Sequence, residues 1–173
     1  VENERAFGRR TIGRILEQAK INYMNPCMEL TAALGVLLKE RGFTPILITH
    51  ELIGKHTGTP ALHFALELPI QDKLYTIEFK TGKDANVYEG KYLPEKSCPG
   101  QKSLTVKRHR RESFSRESTP LNLLGINNWL QIGTKFKHIK YKHLKYALTR
   151  MRLDDNPKIF RLVREIKPKI RRL

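Results

Sequence analysis

Residues 25–42, NPCMELTAALGVLLKERG, carry the pattern that decides the architecture. Leu30, Ala33, Leu34, Leu37 and Leu38 recur at i, i+3, i+4, i+7 and i+8, which lines one side of an α-helix with apolar side chains. Asn25 suits the N-cap and Pro26 the first helical position, where the N–H it lacks would have no partner. Lys39, Glu40 and Arg41 occupy the last turn, and Gly42 supplies the stop. Cys27 therefore falls in the first turn of a core helix, three residues before Leu30. The free N–H groups and positive dipole end of a helix favour an anion at that place, which is how a thiolate becomes available near neutral pH. The plainer role for such a cysteine is that of a small buried apolar residue.

Upstream, residues 10–21 place Ile12, Ile15, Leu16 and Ala19 at helical spacing and predict a short amphipathic helix. Downstream, residues 44–50 (TPILITH) read as a strand, and a Gly-containing loop leads to ALHFALEL at 61–68. There Leu62, Phe64, Leu66 and Leu68 share one face, while Ala61, His63, Ala65 and Glu67 share the other. A second alternating run, LYTIEF at 74–79, completes a hairpin. Centred on Ile70 and Gln71, the hairpin sets His63 directly across from Glu78, with Cβ atoms roughly 5 Å apart. A thiol at a helix N-terminus, an imidazole on one strand and a carboxylate on the next are the parts of a nucleophilic triad. Taken singly, His63 reads as a hydrogen-bonded core histidine and Glu78 as a solvated strand carboxylate; their joint arrangement with Cys27 favours catalysis.

The rest of the 173 residues bounds the partners. Hydrophobic residues make up 39% and charged ones 29%, which excludes a wholly disordered chain. No apolar run reaches the roughly 20 residues needed to cross a bilayer, and the polar VENERAFGRR start is unlike a secretory signal, so a soluble, cytoplasmic protein is expected. Cys27 and Cys98 form no CxxC pair and no zinc-spaced cluster, so no metal and no cofactor is expected. Cys98, in SCPG, reads as an incidental surface thiol, and His50 and His56 as structural or solvent-exposed.

Residues 1–100 hold 13 Lys and Arg against 12 Asp and Glu, whereas residues 101–173 hold 20 against 5. The formal charge of +16 thus resides almost wholly in the second half. Residues 91–118 are rich in Pro, Gly, Ser and Arg and read as a basic linker or loop between a core (1–90) and a basic helical segment (119–173). In that segment residues 121–132 are apolar enough to pack on the core, with Trp129 an anchor, residues 135–153 read as an amphipathic helix, and a last helix follows Asp155-Asn156-Pro157. Such an excess of positive charge points to an anionic partner, nucleic acid or an acidic protein, met by Lys107, Arg108, Arg110, Arg111, Lys135, Lys142, Lys145, Arg150 and Arg152. An oxyanion donor is expected from the Cys27 N–H, with Asn22 or Tyr23 just upstream as the second.

From about Tyr23 to Gly82 the chain resembles the transglutaminase-like branch of the papain-like superfamily, the core of arylamine N-acetyltransferases in particular. The resemblance lies in NPCMELTAALGVLLKERGFTPILI, similar to that family's Cys-x-Glu-Leu helix and following strand, and in LHFALEL and LYTIEF, similar to its histidine and carboxylate strands. It implies that Cys27 is the nucleophile, His63 the base and Glu78 the orienting carboxylate, where these families usually carry Asp. The branch comprises peptidases, deamidases and cross-linking transglutaminases, and also a non-catalytic DNA-damage recognition protein. The expected fold is α+β: a nucleophile helix on a small, mostly antiparallel sheet, with a basic helical segment beside it. The expected function is a cysteine hydrolase or acyltransferase acting on an amide or ester of a protein or peptide substrate. The alternative is a non-catalytic nucleic-acid-binding module on the same fold; a structural protein ranks third.

Overall fold

The computed structural model describes residues 8–18, 26–55, 57–79, 85–109 and 114–143. Helix α1 (Ile12–Gln18) and helix α2 (Pro26–Glu40) precede strands β1 (Ile46–Ile53), β2 (Pro60–Ile70), β3 (Lys73–Phe79) and β4 (Ala85–Glu89). A helical turn α3 (Pro94–Ser97), strand β5 (Ser103–His109), helix α4 (Pro120–Leu123), a 3-10 turn (Trp129–Gln131) and helix α5 (Ile132–Lys135) follow. The strands make one antiparallel sheet in the order β4-β3-β2-β1-β5. The architecture is α+β.

α2 is buried round its whole circumference over residues 28–36, not along one stripe. Thr31, Ala32, Gly35 and Val36, outside the leucine stripe, are small enough to let other elements close on the helix from every side. Phe64, Leu66 and Leu68 of β2 and Ile77 and Phe79 of β3 share its core with Ile12 and Ile15 of α1, Phe114, Leu121, Ile132 and Phe136. The other face of the sheet carries a smaller cluster of Ile48, Ala65 and Tyr92.

The β2–β3 hairpin turns through two residues, Gln71 and Asp72, with Gln71 at φ 55° in the left-handed region. Ile70 then pairs with Lys73 and Ala65 with Glu78, so the residue opposite Glu78 is Ala65 and not His63 as the spacing suggested. A slip of two residues preserves the face, because side chains alternate with period two. His63 and Glu78 thus remain on one side of the sheet as diagonal neighbours.

Three further expectations are corrected. Residues 91–118, read as a linker, contain α3 and all of β5, whose half-buried Leu104 and Val106 alternate with Ser103, Thr105 and Lys107. The segment also delivers Phe114, 4% exposed, to the core. The helix expected over 135–153 is broken at its start: α5 ends at Lys135 and Phe136 is extended, at φ −121° and ψ 126°. That break lets both Phe136 and Ile139 bury completely. Thirdly, Cys98 is 8% exposed, a buried thiol and not a surface one. The expected helix after Pro157 and the Asn25 cap lie outside the described residues, as do His56, Asn22, Tyr23, Arg110, Arg111, Lys145, Arg150 and Arg152.

Gly35 shows how closely α2 is enclosed. A Cβ there would collide with Phe114 Cε1 and Cδ1, so the ring packs directly against the helix backbone. Alanine is the better helix former by about 1 kcal/mol, yet a methyl forced under a buried ring costs about 1–3 kcal/mol. Gly35→Ala should therefore lower the melting temperature by several degrees, and Phe114→Leu added to it should restore part of the loss; calorimetry of the three variants checks this.

Candidate active site

Cys27 stands second in α2, half-buried against the main core. The position of this turn is fixed by Glu29, two residues on, which is fully buried and accepts two hydrogen bonds from Arg10 Nη2, at 2.8 and 3.0 Å. A buried carboxylate needs such a partner to remain charged. The Arg10–Glu29 pair therefore ties the turn that carries Cys27 to the chain before α1.

His63 lies near the half-buried start of β2 and hydrogen-bonds both Cys27 and Glu78. Its Nε2 is 2.9 Å from Glu78 Oε2. The diagonal register explains the carboxylate's length: Cα atoms two positions off register are about 7–8 Å apart, a span that the extra methylene of glutamate helps to cover. Glu78 is fully buried, and its other oxygen, Oε1, accepts from Asn86 Nδ2 at 3.0 Å. β4 sets Asn86 directly opposite Glu78. Burial alone would lower the His63 pKa, but the hydrogen bonds to Cys27 and Glu78 outweigh it and push it up to about 10.

A second imidazole faces the first. His50 is paired with His63 across β1 and β2 and is 1% exposed. Its Nδ1 meets Tyr92 Oη at 2.7 Å and its Nε2 meets Ser103 Oγ at 2.8 Å. Burial, and then the charge on His63, press its pKa down to about 4. The Tyr92 ring lies 5.5 Å from the His50 ring and 6.3 Å from the His63 ring, centroid to centroid. Glu67 Oε1 accepts the Tyr92 N–H at 2.8 Å, and the same carboxylate pairs with Arg108 of β5. The sheet face under His63 is thus a set of neutral and paired groups, so positive charge concentrates on one ring.

The geometry therefore joins Cys27, His63 and Glu78. The basic residues are divided. Arg108 is committed to Glu67, and the Lys107 ammonium donates to the Lys135 carbonyl and lies 5.2 Å from the Phe136 ring centroid. Lys135 and Lys142 are exposed, in company with Lys137 and Lys140. Sequence reading missed Asn86 and the His50–Tyr92 pair. Asn86 sits in a five-residue strand too short to show a period, and Tyr92 lies in no regular element. Among the described residues no group of three or more His, Cys, Asp or Glu is placed to hold a metal ion, and no helix is long and apolar enough to cross a membrane. Comparison with known proteins finds no match to any family model, curated protein or solved structure.

His50 carries a pH prediction. It is neutral in the folded protein and takes up a proton in the unfolded chain below about pH 6.5. Stability is therefore present above pH 6.5 and lost as pH falls from 6.5 towards 4, by roughly 3 kcal/mol for the full interval from this group. Urea titrations between pH 7 and 4 should show that His50→Gln, which keeps polar atoms between Tyr92 and Ser103, loses less stability over this range than the parent.

Proposed function

We propose that the protein is a cysteine-dependent hydrolase or acyltransferase of transglutaminase-like type, with Cys27 as nucleophile, His63 as acid–base and Glu78 as the carboxylate that orients it. The observation that carries this reading is the continuous hydrogen-bonded chain from Cys27 through His63 to the buried Glu78. With Nε2 engaged by Glu78, Nδ1 is the ring nitrogen left for the sulfur. In the proposed reaction the Cys27 sulfur attacks an amide or ester carbonyl, and the Cys27 N–H at the start of α2 steadies the developing oxyanion. The His63 imidazolium then passes its proton to the departing amine or alcohol as the carbonyl re-forms. The same ring takes a proton from water or an acceptor amine, which attacks the thioester and releases Cys27. Glu78 stays ionised and holds the ring's tautomer and direction.

The charge relations suit this work. A His63 that stays protonated through neutral pH is the ion-pair partner an attacking sulfur requires, and the neutral His50 beside it does not compete. Reaction of Cys27 with iodoacetamide at pH 7, followed by mass spectrometry of its peptide, tests the reading. His63→Ala should slow the reaction about ten-fold or more and Glu78→Gln by a smaller factor. A parent protein that reacts no faster than His63→Ala would remove the catalytic reading.

The second reading, a non-catalytic module that docks on nucleic acid, has its own support in the four exposed lysines at 135, 137, 140 and 142. The same lysines would recruit an acidic substrate to an enzyme. Fluorescence anisotropy with a labelled duplex should give an affinity that falls steeply between 50 and 200 mM salt, as phosphate contacts require. A paired Lys135→Ala and Lys142→Ala change should flatten that slope and leave Cys27 alkylation untouched. Salt-independent binding would remove this reading.

A further inference from the structure

We propose that Asn86 is a positioning residue that aims the Glu78 carboxylate at His63. This deepens the catalytic reading and rests on it. The amide Nδ2 donates to Glu78 Oε1 at 3.0 Å while Glu78 Oε2 lies 2.9 Å from His63 Nε2, so one planar carboxylate is gripped at both ends. The second grip has a mechanical reason. Glutamate has one more rotatable bond than aspartate, and a carboxylate held by a single imidazole bond can pivot about it. A donor on the other oxygen, supplied by the strand directly opposite, removes that pivot.

The chemistry of the donor also fits. A carboxamide hydrogen bond stabilises the ionised carboxylate without bringing a charge of its own. A Lys or Arg in its place would draw Glu78 away from the ring, and an Asp would repel it. Glu78 is fully buried, so water cannot take over the task. Asn86 itself is only half-buried, next to Val87 at 57% exposure, so its side chain is placed to hold Glu78 more than to fill the core.

The test has two readouts, each made on Asn86→Ala and on the near-isosteric Asn86→Leu, with melting curves to show that both are folded. The first is the iodoacetamide rate at Cys27, expected to fall about ten-fold in each, as loss of a hydrogen bond to a charged group would give. In a Glu78→Gln background the Asn86→Ala change should have no further effect, because the carboxylate it serves is gone. The second is the His63 Nε2–H proton in NMR spectra. It should be shifted downfield and protected from exchange in the parent, and lost to water exchange in both variants. Rates within two-fold of the parent, with the Nε2–H signal unchanged, would overturn the proposal. A parent that reacts no faster than His63→Ala removes the catalytic reading alone, and the Nε2–H signal still decides: retained in both Asn86 variants it overturns the positioning role, lost in both it upholds it.

Discussion

The enclosure of α2 is the constraint on which the rest of the molecule depends. A helix buried from Met28 to Val36 cannot be covered by one sheet face alone, so elements from both ends of the described chain must close round it. α1 lies on one side, β2 and β3 beneath, and Phe114, Leu121, Ile132 and Phe136 complete the shell. Dispersion and burial favour this arrangement over any in which the helix is half exposed. It also fixes where the helix begins, and the first turn is where the thiol stands. The part-buried Arg10–Glu29 pair adds direction to the packing, since a fully buried carboxylate tolerates little misplacement of its partner.

Much of this was legible in the residues, and the failures are instructive. The leucine spacing located α2, and the period-two runs located β2 and β3, because each pattern spans enough residues to separate a helix from a strand. Which residue faces which across the hairpin was not legible. It depends on whether the turn uses Gln71 and Asp72 or a position one residue earlier, and a glutamine at φ 55° leaves no Asn-Gly or Asp-Gly signature to read. The face survived that error and the partner did not. β5 was hidden by its own charges: lysine and arginine on an edge strand look like a linker, although the same residues keep an edge from pairing with other chains. Phe136 and Ile139 were read on one helical face because spacing alone cannot show that an extended backbone presents both to the core. Asn86 and Tyr92 could not be placed without knowing the sheet order.

The two histidines on one sheet face show how environment divides a single residue type. His63 has an acid on one side and a thiol on the other, and those bonds outweigh the burial that by itself would suppress its charge. His50, directly opposite, has hydroxyls on both nitrogens and gains nothing from a proton. Pairs of titratable groups driven apart in this way are commonly found where chemistry is done. The basic surplus is divided in the same manner. Arg108 and Lys107, though exposed, are engaged by Glu67 and by a backbone carbonyl, so positive charge in a sequence is only an upper bound on what is offered to a partner.

The imidazole and carboxylate belong to one hairpin, fifteen residues apart, while the sulfur arrives from a helix that precedes it. A hairpin of this kind can assemble from local contacts, so the ring and its acid can meet early. The thiol joins them only when the helix docks. A newly made or unfolded chain accordingly carries the three side chains apart, and their hydrogen-bonded row comes into being with the tertiary fold itself. Damage far from the sheet, at the contacts that seat the helix, would part the sulfur from the ring while leaving all three side chains chemically intact.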